Sequence, residues 1–301
     1  MYIITGATGN TGSVVAEKLL ARGEKVRVIG RDAKRLERYT KKGAEPFVAD
    51  ATDAGALTKA FSGAKAAYAM IPPNIGAPNV RVYQEQVNDA LVSAIEKNGL
   101  KYVVVLSSFG ADKPEKTGPV VGLHNLEEKL NGIPGLNALY LRAGYFMENI
   151  LPQVGVIKSF GDMAGPVKGD LPLPMIATRD IGAVAADALL KLDFEGKRPR
   201  ELQGAGDVTY VDVVRIVGAA IGKPDLTYKQ MPAEQLKPAL LQMGMSSSMA
   251  GLLLEMADAL NLGYMRMLER RSPQNTTPTS LETFVSEVFV PTYRGTKAAR
   301  A

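Results

Sequence analysis

The 301-residue chain has no cysteine, no tryptophan and a single histidine, His124. The missing cysteines exclude disulfides, a thiol nucleophile, thiolate zinc sites and iron–sulfur clusters. One histidine excludes a metal site built on two imidazoles and leaves His124 as the sole base for a serine-type triad. Long apolar runs are missing too, none approaching the roughly 18 residues of a membrane span. The opening Met-Tyr-Ile-Ile-Thr-Gly shows no basic leader before a hydrophobic segment. A soluble, cytoplasmic protein without membrane attachment is the expectation.

What is present is ordinary globular material, 46% hydrophobic and 22% charged. At roughly 150 residues per domain the length allows one large or two modest domains, with a core that needs no staples. The formal charge of +5 is concentrated. Residues 22–42 hold nine basic side chains against three acidic ones, a local +6, which leaves −1 for the rest. A nucleic-acid-binding domain usually spreads its basic residues over a broad face, so no nucleic-acid partner is expected. The cluster reads either as a solvated helix face or as a seat for a small anion.

The first 140 residues alternate β-branched runs with amphipathic stretches. Strands are predicted at 2–5, 26–29, 46–48, 66–71 and 102–106, and helices at 12–21, 32–42, 53–61 and 80–98. Glycines stand after the helices, and Asp or Ser before them. Apolar strands alternating with helices imply α/β architecture, a parallel sheet covered on both faces. A sixth strand is predicted at 137–141. Beyond it, 155–175 is rich in Gly and Pro and reads as loop, 181–190 and 211–221 as helices, and 235–260 as helix broken near Gly244. Ten of the twelve methionines follow residue 145, as packing for a core or as lining for an adaptable pocket.

Gly6-Ala-Thr8-Gly9-Asn10-Thr11-Gly12 directly follows the first strand and opens the first helix. Gly6 permits a sharp turn, Gly9 a close approach of backbone to pyrophosphate, and Gly12 tight helix–sheet packing. The helix N terminus offers unpaired N–H groups to phosphate. This points to a dinucleotide. NAD binders usually carry an acid at the end of the second strand; here Gly30 stands there, followed by Arg31. An arginine fork matches the 2′-phosphate of NADP, so NADP(H) is the expected cofactor, and Asp32 reads as the next helix cap. Asp50, followed by Ala51, reads either as an adenine contact or as a cap for the helix near Asp53. Ile71-Pro72-Pro73-Asn74 ends the fourth strand beside the expected cofactor path.

Those motifs, with Leu106-Ser107-Ser108-Phe109-Gly110, the run Leu141–Asn149 containing Gly144-Tyr145-Phe146, Thr178-Arg179-Asp180-Ile181 and Arg271–Thr279, resemble the NmrA-like branch of the atypical short-chain dehydrogenase/reductases. The similarity runs to about residue 288. It implies a doubly wound Rossmann sheet carrying NADP over residues 1–144, with a smaller C-terminal α/β lobe over 145–290, interleaved with it, for a small-molecule substrate. A flexible tail is expected at 291–301. The resemblance covers quinone, azo and dye reductases as well as non-catalytic NADP(H)-sensing regulators. It implies cofactor contacts at Gly6, Thr8, Gly9, Asn10, Thr11, Gly12, Arg31, Asp50, Ala51, Ile71, Pro72, Ser107, Gly144, Tyr145 and Phe146.

The Tyr-x-x-x-Lys pair of typical short-chain dehydrogenases occurs only as Tyr293…Lys297, a chance spacing in the tail. After the fifth strand stands His124-Asn-Leu-Glu-Glu128 instead. His124 and Glu128 lie at about 0° and 40° on a helical wheel, while Leu123, Leu126 and Leu130 cluster near about 200–260°. The resemblance aligns the pair with the missing Tyr and Lys, in the cleft; the other reading is a surface i,i+4 pair. Without the usual proton donor, an already electrophilic hydride acceptor such as a quinone is favoured. Its developing charge would meet His124, Ser107, Ser108 or water, although both serines also suit a strand end. Tyr145, Phe146, Met147, Met163, Met175, Met243 and Met245 predict a mainly apolar substrate pocket in the lobe.

Overall fold

The computed structural model describes residues 1–296. The strands and helices come in the order β1 (Tyr2–Ile4), α1 (Asn10–Ala21), β2 (Val26–Gly30), α2 (Ala33–Thr40), β3 (Glu45–Val48), α3 (Ala54–Ala60), β4 (Ala66–Ala69), α4 (Val80–Lys97), β5 (Tyr102–Ser108), α5 (Val121–Asn131) and β6 (Asn137–Ala143). Then follow α6 (Gln153–Phe160), β7 (Met163–Gly165), α7 (Thr178–Lys191), β8 (Lys197–Leu202), α8 (Tyr210–Ile221), β9 (Tyr228–Gln230), α9 (Ala233–Gln242), α10 (Ser247–Asn261), α11 (Leu281–Phe284) and α12 (Val290–Arg294).

Seven strands form one sheet in the order β3-β2-β1-β4-β5-β6-β8, with every pairing parallel. The chain leaves β1 towards β3, then returns to the other side of β1 at β4. That reversal opens a crevice at the carboxyl ends of β1 and β4, where such sheets bind ligands. The strands are apolar because both faces are covered: Ile4, Val28 and Val104 pack beneath α1, α2 and α7, and Ile3, Val103 and Val105 beneath α3, α4 and α5. Gly182 lets α7 close on α1, since a Cβ there would lie 2.7 Å from the Thr11 carbonyl oxygen. The doubly wound Rossmann-like architecture is as expected.

The last third differs from the expectation in particular ways. The predicted loop 155–175 contains the end of α6 and all of β7, which pairs with β9. Strand β8 has the sequence Lys-Arg-Pro-Arg-Glu-Leu, four charges and a proline. Such a composition suits only an edge strand, and β8 is the sheet's outer edge. Thus a strand from beyond residue 145 completes the first domain's sheet. The break near Gly244 is present, with φ +85 between α9 and α10. Residues 290–294 are helical, with Val290 and Tyr293 packed on the lobe's core. Lys297 of the Tyr293…Lys297 spacing lies outside the described residues, as does the rest of the tail to 301. Among the described residues no helix is long and apolar enough to cross a membrane, and no cluster of side chains is arranged to hold a metal ion.

Candidate active site

At the first crevice wall, Gly6 turns with φ +60 and accepts a hydrogen bond from Gly9 N (2.9 Å). A Cβ at Gly12 would stand 2.4 Å from Gly6 O, so Gly12 is required by the turn itself. Gly9 and Asn10 are exposed and Thr8 half-buried. The N terminus of α1 has no side-chain cap and no acid in its first turn, which leaves N–H groups for a ligand to satisfy. Thr11 is turned inwards instead, its hydroxyl accepting from Tyr68 (2.8 Å). Beneath the turn, α2 acts as a clamp. The Tyr39 hydroxyl donates to Ala7 O (2.5 Å) and Arg35 to Thr8 O (3.0 Å).

Arg31 is exposed at the end of β2. Asp32 caps α2, accepting from Lys34 N and Arg35 N. Asp50 does not cap α3; Asp53 does. The Asp50 carboxylate instead accepts from Thr52 N (2.9 Å) and Thr52 Oγ1 (2.7 Å). These bonds, helped by the Arg31 charge, hold it below the ordinary carboxylate value. Tyr83 of α4 donates to Pro72 O (3.0 Å), securing the turn after β4, and its hydroxyl also feels Arg31 and Asp50. Arg31, Asp50 and the Ile71–Pro72 turn thus converge through Tyr83. Arg35 and Tyr83 were missed as site residues in the sequence; for Arg35 the basic cluster of residues 22–42 was an available signal.

At the end of β5 the expectation needs correcting. Ser107 is buried, and its hydroxyl donates to Glu127 Oε1 (2.5 Å) rather than facing a cleft. Glu127 also receives two bonds from Arg142, Nε to Oε1 (3.1 Å) and NH2 to Oε2 (2.6 Å). The buried acid of α5 is therefore Glu127, which sits at about 300° on the same wheel, beside the leucine stripe. Glu128 is exposed and accepts from Asn131 (3.2 Å). His124 is half-buried, and its Nδ1 lies 2.9 Å from Ala111 O. A carbonyl only accepts, so Nδ1 carries a proton. His124 and Glu128 make no bond to each other, and neither lines the lobe's cavity.

That cavity, about 610 Å³, begins where β6 ends. Gly144 is forced there, because a Cβ would meet Pro174 O at 2.2 Å. Tyr145, Glu148 and Asn149 line the cavity, while Phe146 packs towards the sheet core. The Tyr145 hydroxyl lies 3.1 Å from that of Tyr210, whose ring stacks on Tyr228 at 4.4 Å. Burial pushes both Tyr145 and Tyr210 above the ordinary tyrosine value. Glu148 is also pushed up by burial, although its carboxylate accepts from Thr178 N (3.0 Å) and Thr178 Oγ1 (2.6 Å) at the start of α7. Met163, Met243 and Met245 line the cavity as expected; Met147 and Met175 are core instead. The late motifs meet beside it: Asp180 accepts from Thr279 N (3.0 Å) and Thr279 Oγ1 (2.9 Å).

Compared with known proteins, the chain matches the model of the NmrA-like family over residues 2–284. It belongs to the NmrA-like family. A relative from Streptomyces griseus, named (4-alkanoyl-5-oxo-2,5-dihydrofuran-3-yl)methyl phosphate reductase, is 27% identical to this NmrA-like chain over 243 residues, 80% of either protein. In fold it is similar to an NADPH-dependent quinone oxidoreductase from Escherichia coli solved with NADPH (TM-score 0.80, 23% identity, 95% of this chain and 99% of that one). It is likewise similar to the Citrobacter sp. triphenylmethane reductase solved with NADP(H) (TM-score 0.77, 19% identity, 95% and 99%).

Proposed function

We propose that the protein is an NADPH-dependent reductase that reduces a conjugated, already electrophilic acceptor such as a quinone. One observation carries this reading. The glycine turn with its uncapped helix and the 610 Å³ apolar cavity open at the same carboxyl edge of one parallel sheet, the cavity starting at Tyr145 directly after β6. The relatives support it, since the three named above are reductases and two were solved with NADPH or NADP(H).

The residues fit the cofactor. Exposed Gly9 and Asn10, with Thr8, present backbone to a pyrophosphate at an uncapped helix end. Arg31 and Arg35 supply two guanidinium groups for a 2′-phosphate. Asp50, Ala51, Ile71 and Pro72, backed by Tyr83, would flank the adenine, and Gly144, Tyr145 and Phe146 would bound the nicotinamide end. Bound NADPH supplies the hydride. The chain's own part is to hold the acceptor, exclude water and meet developing charge. Tyr145 and Tyr210 stay neutral at physiological pH because burial raises them. One hydroxyl donates to the other, which frees a second O–H to donate to the acceptor's oxygen as it becomes negative. An electrophilic acceptor needs no stronger acid.

The test is NADPH oxidation in the presence of menadione, an azo dye or a triphenylmethane dye. The expected result is acceptor-dependent oxidation, faster with NADPH than with NADH. No turnover with any acceptor, together with clearly different affinities for NADPH and NADP⁺, would replace this reading with a redox-sensing regulator.

A further inference from the structure

We infer that the cavity holds, besides the reacting head group, a long unbranched or prenyl tail of the substrate, threaded between α6 and α9; the identity of the head group rests on the reductase reading, the tail subsite does not. The cavity extends well past the tyrosine pair. From Tyr145 it passes between one face of α6 (Gln153, Val156, Phe160) and one face of α9 (Leu236, Ala239, Leu240). The spacings i, i+3, i+7 and i, i+3, i+4 place each set on a single helix face. These two faces look at each other across open space instead of packing together. Helix α9 buries no residue at all, and Pro238 inside it removes one backbone hydrogen bond. Leucines turned inward but left half-buried gain further stabilisation when apolar matter fills the gap.

The chemistry of the walls narrows the occupant. Among the polar side chains along this outer stretch, Gln153, Asp162 and Lys229 already have partners, and Gln235 has none among the described residues. Gln153 spans Ala164, donating to its carbonyl (2.8 Å) and accepting from its amide (3.1 Å). Lys229 pairs with Asp162 (2.6 Å), and Asp162 also accepts from Thr227. The Tyr145–Tyr210 pair, Glu148 and Asn149 are confined to the inner end. A polar or charged substituent would find Gln235 as its one unpaired partner on the way out, whereas hydrocarbon would meet Val156, Phe160, Leu236 and Leu240. At the mouth, Phe160 is 80% exposed and Met243 54% exposed, giving an apolar rim through which a tail can enter or protrude. A two-ring quinone alone uses only part of a cavity of this size.

The experiment is a chain-length series. Affinities of 2-alkyl-1,4-naphthoquinones from methyl to decyl are measured calorimetrically with NADP⁺ present, so that no hydride transfer occurs, and kcat/KM is measured separately with NADPH. Each added carbon is expected to tighten binding by up to about fourfold until the chain reaches the rim, then to have no further effect. Ala239→Trp, which fills the gap, and Leu240→Asp, which charges it, are each expected to flatten that dependence. Both sit on a helix without buried residues, so the fold is retained and checked by circular dichroism. A flat series in the wild type overturns the inference, as does a rising series that both variants preserve. A rising binding series, flattened in the variants but without turnover, upholds the tail subsite and removes the reductase reading.

Discussion

Tyr145 and Tyr210 are 65 positions apart in the chain, yet their hydroxyls meet at 3.1 Å on the wall of the cavity. On the proposed role of the pair as donor to developing negative charge, Tyr145→Phe is expected to lower kcat for menadione by at least about tenfold, with NADPH affinity changed less than about twofold. Steady-state kinetics beside a cofactor titration checks this, and equal losses in both would make Tyr145 a cofactor-positioning side chain. Arg31→Ala is expected to weaken NADPH by about tenfold or more, the worth of a charge-assisted hydrogen bond, while NADH changes little. Arg35→Ala, which also releases Thr8 O of the glycine turn, is expected to weaken both, NADPH more. Equal loss for both cofactors in Arg31→Ala sinks the 2′-phosphate assignment. Glu148 gives a pH signature. Its folded-state value is raised above 4.5 by burial, so its contribution is full below about 4.5 and is lost as pH rises through the raised value. Thermal denaturation of Glu148→Gln should therefore shift in the variant's favour, relative to wild type, as pH rises above about 4.5. A difference independent of pH would mean that Glu148 has no raised value.

Among the elements, β5, α5 and β6 are joined at the site by one buried group, the Ser107–Glu127–Arg142 network, with Glu127 only 3% exposed. Glu127→Ala leaves a half-buried guanidinium without its partner and is expected to cost up to about 3 kcal/mol, whereas the combined Glu127→Leu, Arg142→Met variant should recover most of it. Urea unfolding of the three proteins tests the claim, and a single variant as stable as wild type contradicts it. The sheet's centre was legible in the sequence because β1, β4, β5 and β6 are buried on both faces and must be apolar. The glycine turn was legible because its spacing is dictated by backbone contacts such as Gly12 on Gly6 O. Strand β8 was not, since an edge position tolerates Pro199 and four charges. Nor was the choice of Glu127 over Glu128, which depends on Arg142 arriving from the neighbouring strand. Tyr210 carries no local signal at all; only the folding of α8 against the segment after β6 brings it to Tyr145.

For the whole molecule, the two halves of the chain are interleaved. α7 and β8 close the sheet, and the segment around Thr279 bonds back to Asp180, so the lobe is anchored to the layer that carries the glycine turn. The local +6 of residues 22–42 lies at the glycine-turn end of that layer, and an apolar cavity lies at the other end of the same edge. That arrangement underlies the central proposal, that cofactor and acceptor meet at the shared carboxyl edge of the sheet. It is tested most directly by a single turnover: protein loaded with one equivalent of NADPH, or of NADPH deuterated at the transferred position, is mixed with menadione, and the loss of nicotinamide absorbance is followed. The account predicts that the bound cofactor is oxidised in one phase, slowed in the deuterated form by a primary isotope effect and abolished as a fast phase by Tyr145→Phe. Bound NADPH that stays reduced in the presence of menadione and other conjugated acceptors would contradict it.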